Sequence, residues 1–103
     1  MIYIKIHGTD NGPMLALCDS NLIEKVLEEG ELVINIKDYS EFYKGELINA
    51  DDLAKHIDSN EVYSANIIGK ESVDAAVQNR IIEKGNVKTV KKVPYAHAFR
   101  IKY

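Results

Sequence analysis

Ile2, Ile4 and Ile6 alternate with Tyr3, Lys5 and His7 at the start of the chain, and an apolar run from Met14 to Cys18 follows across Asp10-Asn11-Gly12-Pro13. Period-two alternation marks a strand with one buried face, because successive side chains leave a strand on opposite sides. Asn-Gly accepts positive φ and Pro13 cannot donate to a ladder, so the residues between the two runs form a turn. The chain through Cys18 is therefore expected to be a β-hairpin, onto which everything later must build.

Asp19 or Ser20 stands where a helix N-cap is needed, and Leu22, Ile23, Val26 and Leu27 recur at helical spacing up to Gly30. This predicts a first amphipathic helix. Leu32, Ile34 and Ile36 restore the alternation and predict a third strand ending at Lys37-Asp38. Tyr39 to Glu46 has no clean period and holds three of the eight aromatic residues, which predicts a structured loop. Asn49 is then placed to cap a helix through Ala50, Leu53, Ala54 and Ile57. Val62 to Ile68 reads as a strand, followed by a third helix with Val73, Ala76, Val77 and Ile81 on one face and Gly85 closing it. Val87 to Val93 and Tyr95 to Tyr103 predict two last strands around Pro94. The order β-β-α-β-α-β-α-β-β is that of an α+β fold, a mixed sheet of five to six strands with three helices packed on it.

A chain of 103 residues, 46% hydrophobic and 28% charged, can bury one core, so residues 1–103 are expected to be a single domain. No apolar run approaches the roughly 18 to 20 residues of a membrane span, and no basic segment followed by an apolar core opens the chain. The expected location is the cytoplasm, with which the lone Cys18 agrees. The net charge of −3 hides an asymmetry. Residues 85–103 carry Lys88, Lys91, Lys92, Arg100 and Lys102 and no acid, which leaves −8 on the remainder. Only this terminal segment could face a polyanion, because phosphate neutralisation needs cations that neighbouring acids do not cancel.

The stretch Ser64-Ala65-Asn66-Ile67-Ile68-Gly69 runs small polar residues into an apolar pair and a glycine, then into Lys70-Glu71-Ser72. Alternation puts Ser64 and Asn66 on one face of a strand that feeds a helix N-terminus, where unpaired amides and the macrodipole favour an anion and Lys70 adds charge. The segment is either a ligand site or a junction whose polar groups satisfy one another. It is not a phosphate-binding P-loop, since Ser64 stands where the upstream glycine belongs and Glu71 follows Lys70. His7, Cys18, His56 and His97 lack the spacing of a metal site, so no metal and no other cofactor is expected. Cys18 reads as a small core residue, because Asp19 is the wrong neighbour for a thiolate. Asp52 and His56 form the usual surface pair of a helix face. On a last strand, Tyr95, His97, Phe99, Ile101 and Tyr103 share one face, which either stacks bases or packs on the core.

Four segments together resemble the DUF424 family of small archaeal proteins over nearly the whole chain. They are the hairpin opening, the Glu41-Phe-Tyr-Lys-Gly-Glu46 loop, Ser64-Ala-Asn-x-x-Gly69 with Ser72-Val73 after it, and Val93-Pro-Tyr-Ala-His97. The resemblance implies an archaeal cytoplasmic protein linked to translation, and it implies no reaction. Ser64-Ala-Asn also resembles a short piece of threonylcarbamoyl-AMP synthases, but three residues transfer no activity. No complete catalytic constellation is present, so the leading expectation is a non-enzymatic binding module. Its expected partner is RNA or a translation-associated protein, contacted through Lys88, Lys91, Lys92, Arg100 and Lys102. The alternative is a small-molecule or nucleotide site built from Tyr43, Gly45, Glu46, Ser64, Asn66, Gly69, Lys70 and His97, with Glu46 as its acid-base candidate. A third reading is a structural protein that forms a homo-oligomer.

Overall fold

The computed structural model describes residues 1–57 and 61–99. The opening hairpin is present as expected: β1 (Ile2–His7) pairs antiparallel with β2 (Met14–Asp19), from Ile2 opposite Asp19 to His7 opposite Met14. Gly12 takes φ +130° in the turn, a conformation that favours glycine. Pro13 offers its carbonyl to the amides of Tyr63 (2.8 Å) and Ser64 (3.3 Å), which starts the next strand of the sheet. That strand, β6 (Ser64–Ile68), runs parallel to β2 and antiparallel to β8 (Val93–Phe99). The edges are β5 (Glu46–Ile48) beside β1 and β7 (Lys88–Val90) beside β8, giving the order β5-β1-β2-β6-β8-β7. The fold is α+β with a six-stranded mixed sheet and three helices, in agreement with the sequence reading.

Both faces of this sheet are covered around β2, where Leu15 through Asp19 are all buried. That explains why β2 reads as a continuous apolar run rather than an alternation. On one face Ile2, Ile4, Leu15, Leu17 and Ile67 pack under α3 (Lys70–Gln78), which contributes Val73 and Ala76. On the other, Ala16, Cys18 and Ile68 meet Leu22, Ile23, Ile36 and Tyr43. Ile6 continues the β1 pattern but is 50% exposed, lying past the Ile2–Ile4 stretch that pairs with β5.

The first predicted helix does not form. Ser20–Leu22 is a single 3-10 turn, and Val26–Glu29 is β3, paired with β4 (Leu32–Asn35) in a separate two-stranded sheet. Helical spacing of Leu22, Ile23, Val26 and Leu27 also suits a buried turn followed by a strand, and so short a helix has little intrinsic stability. Gly30, read as a helix stop, takes φ +61° in the β3–β4 turn. Leu27 sits opposite Ile34, and the Lys25 carbonyl accepts from the amides of Ile36 and Lys37, so the hairpin satisfies its own backbone. The expected cap residue, Asp19, serves a different helix altogether.

Smaller departures follow the same logic. The Tyr39 to Glu46 loop contains the four-residue α1 (Ser40–Tyr43) and ends in β5, too short for any period to show. Asn49 precedes a 3-10 turn, Ala50–Asp52, without a side-chain cap bond, and α2 is Leu53–His56. His56 pairs with Glu46 (3.5 Å) and Asp52 with Lys55 (3.4 Å), in place of the expected Asp52–His56 pair. α3 ends at Gln78, where the Asn79 side chain donates to Ala75 O (2.8 Å) and Arg80 turns left-handed (φ +59°). Gly85 lies beyond, in a separate 3-10 turn. The last two strands divide at Lys91-Lys92, both left-handed at φ +48° and +64°, and not at Pro94, which lies inside β8 opposite Thr89. Among the described residues no helix is long and apolar enough to cross a membrane.

Candidate functional site

A cleft of about 550 Å³ opens between the β4 hairpin strand and the exposed parts of β6 and β8, with α1 at one side. Its walls are apolar or aromatic, from Ile34, Tyr39, Phe42, Ile68 and Tyr95. The polar groups are few: Asn66, His97, Lys88 and Asn35. Asn66 and His97 are direct cross-strand partners in the β6–β8 ladder, so their side chains rise from the same face. Tyr43, buried at the end of α1, donates its hydroxyl to Asn66 Oδ1 at 3.1 Å. Two segments that are distant in sequence thus meet at the cleft floor.

The position of Tyr43 is set by β1. Lys5 Nζ donates to the Glu41 carbonyl (2.7 Å), and His7 Nε2 donates to the Phe42 carbonyl (2.8 Å). The His7 ring also stacks on Phe42, centroids 4.5 Å apart and planes 10° from parallel, and Phe42 meets Tyr43 edge-on at 5.0 Å. The outward residues of β1 therefore hold a helix too short to hold itself.

β8 carries Tyr95, His97 and Phe99 on one face, the first two in the cleft and Phe99 beyond it. The Tyr95 and His97 rings are 6.1 Å apart, and Phe99 is 74% exposed. Of the two readings of this face, core packing holds only for half-buried Tyr95, and the outer part is open.

The family sequence model described as "Protein of unknown function (DUF424)" matches residues 6–101. The chain belongs to the DUF424 family. A crystal structure of an uncharacterized conserved protein from Methanopyrus kandleri is similar to this DUF424 protein in fold, with a TM-score of 0.80 at 23% identity, covering 99% of this chain and 93% of that one. No curated protein matches the chain.

Of the residues singled out in this DUF424 chain by sequence, Tyr43, Asn66, His97 and Lys88 converge on the cleft. The rest stand elsewhere. Gly45 packs against β1, where a Cβ would collide with the Ile4 carbonyl. Glu46 lies exposed in β5, separated from β6 by β1 and β2. Ser64 is buried opposite Phe99. Gly69 precedes α3 and Lys70 begins it, and two of its first-turn amides are already engaged: Asp19 accepts from Glu71 N (3.1 Å) and from Ser72 N and Oγ (2.8 Å each). The anion at this helix start is the protein's own carboxylate. Lys70 and Lys92 border a second groove of about 620 Å³ between α3 and the β7–β8 hairpin, on the opposite side of the sheet. Lys91 lies at the hairpin tip, where its amide donates to Glu29 (2.8 Å). Arg100 and Lys102, with Ile101 and Tyr103, lie outside the described residues.

Burial, helped by the adjacent Asp19 charge, pushes the Cys18 thiol up to about 12. Burial, then the neighbouring Cys18, likewise pushes Tyr43 up to about 12. Both are protonated at neutral pH, so Cys18 offers no thiolate and Tyr43 remains a donor. Among the described residues no three His, Cys, Asp or Glu side chains cluster as a metal would require. Sequence reasoning missed the β4 wall and the supporting roles of Lys5 and His7. The available signal was that both β1 residues face away from Ile2 and Ile4.

Proposed function

We propose that this DUF424 protein is a non-enzymatic binding module that takes single-stranded RNA along β8 and into the cleft. The carrying observation is the row of Tyr95, His97 and Phe99 on one strand face, with Phe99 74% exposed and His97 directly opposite Asn66 across the ladder. A large aromatic left this open on a sheet face is a platform for a flat ligand, and unpaired bases stack on such rings with little sequence preference. Lys88 lines the cleft wall, and its cation supports the reading as a contact for a phosphate. Chemistry is disfavoured, because Cys18 is buried and protonated and the Glu46–His56 pair stands across the sheet.

The test is fluorescence anisotropy of a labelled single-stranded oligoribonucleotide over a salt series. Lys88→Ala should weaken binding and flatten the salt slope by about one contact. An absence of binding at low salt, or a slope that Lys88→Ala leaves unchanged, contradicts the reading.

The cleft volume of about 550 Å³ favours a second reading, a free nucleotide or similar small molecule held by Tyr43, Asn66 and His97. Thermal denaturation separates the two. A mononucleotide at 100 times its Kd adds about 2.7 kcal/mol. A shift of that size with no advantage for an oligonucleotide selects the small ligand. No shift with either leaves the oligomer-interface role.

A further inference from the structure

We infer that Asn66 makes the cleft selective for bases with a carbonyl edge over bases with an amino edge, an inference that rests on the RNA reading. A carboxamide is ambidextrous, since it presents an acceptor on one side and a donor on the other. Here the amide has a protein partner on its carbonyl side. The Tyr43 hydroxyl donates to Asn66 Oδ1 at 3.1 Å from a buried position, so the carbonyl side of the amide is engaged and Nδ2 is the side left for a ligand. Tyr43 stays a donor across the physiological range, because burial disfavours its anion.

The other polar groups at the cleft differ in what they can offer a base. Asn35 is consumed locally: its Nδ2 donates to Asp38 Oδ2, and its Oδ1 accepts the Asp38 amide, both at 2.9 Å. Lys88 can only donate. His97, when neutral, carries one donor and one acceptor, and the phenol oxygens of Tyr39 and Tyr95 can also accept, but of these three only His97 stands directly across the ladder from Asn66. A base entering the cleft therefore meets Asn66 Nδ2 with a carbonyl oxygen satisfied and with an amino group unsatisfied. A buried donor facing a donor loses its hydration without compensation, so the discrimination comes from a penalty as well as from a bond. Tyr43 is the positioning residue and Asn66 the reading residue.

Oligouridylate and oligocytidylate of equal length provide the comparison, because uracil has a carbonyl where cytosine has an amino group. The wild-type protein should bind the uridylate about tenfold more tightly. Tyr43→Phe frees the amide to turn and should bring the ratio toward one. Asn66→Asp presents an acceptor in place of the donor, and should reverse the ratio even though its charge weakens both affinities. Circular dichroism of each variant checks folding, and Asn66→Ala, which should also equalise the two ligands, serves if the aspartate variant does not fold. Equal wild-type affinity for the two RNAs, or a preference that survives Asn66→Ala, overturns the inference and leaves RNA binding standing. Binding of neither RNA overturns RNA binding itself, and the inference with it.

Discussion

Asp19 Oδ1 accepts hydrogen bonds from both the backbone amide and the hydroxyl of Ser72, each at 2.8 Å, across 53 residues of sequence. The contact joins the end of the opening hairpin to the first turn of α3, and both residues are buried. It also turns the most ligand-like feature of the sequence, a glycine before a helix start, into an internal cap.

Asp19→Ala should therefore destabilise the protein. It removes a cap and leaves the amides of Glu71 and Ser72 and the Ser72 hydroxyl unpaired, for a cost of about 2–3 kcal/mol. Thermal unfolding should fall by roughly 10 °C or more. An unchanged midpoint would remove the cap from the account.

Gly69→Ala should be damaging for two separate reasons. The backbone at Gly69 has φ +110°, and a Cβ there would strike the Asp19 carboxylate. The loss should exceed about 1 kcal/mol. Because both changes disrupt the same cap, Gly69→Ala combined with Asp19→Ala should cost less than the sum of the two, which a double-mutant cycle in urea would measure.

The buried thiol and phenol give a pH dependence whose sign is set by their raised folded values. Cys18 moves from 9.0 and Tyr43 from 10.0, both to about 12. The neutral forms are favoured in the folded state, so their contribution is complete below about pH 9 and is lost between about pH 9 and pH 12. Denaturant midpoints should accordingly fall through that window. Cys18 should resist thiol reagents in the native protein and react on unfolding, and fast labelling of the native protein would contradict its burial.

His7→Ala should act on the cleft through α1. It removes the bond to the Phe42 carbonyl and the ring stacked on Phe42, which together are worth about 1–2 kcal/mol. The tyrosine environment should change with it, since Tyr43 is the next residue. Near-ultraviolet circular dichroism reads this directly, and an unaltered spectrum would mean that α1 is held without His7.

The opening hairpin, β6, α3 and β8 were legible because each carries its own period or apolar run. The β3–β4 hairpin was not, because Leu22, Ile23, Val26 and Leu27 satisfy helical spacing while the pairing of Leu27 with Ile34 is a tertiary fact. β5 has three residues, fewer than a period needs. At the site, Tyr43, Asn66 and His97 could be picked out as unusual, and the β6–β8 register then joined two of them. The Tyr43–Asn66 bond spans 23 residues, and the capture of the α3 amides by Asp19 spans more, so neither leaves a local pattern to read.

The most direct test of the central claim is an amide NMR map of the protein titrated with a single-stranded oligoribonucleotide. The account predicts shift changes concentrated at Asn66, Lys88, Tyr95, His97 and Phe99, and their loss for β8 on Phe99→Ala, which should weaken binding by about 1–3 kcal/mol while leaving thermal stability nearly unchanged. Changes confined to Lys70, Lys84 and Lys92 on the opposite groove, or no changes anywhere, would contradict it.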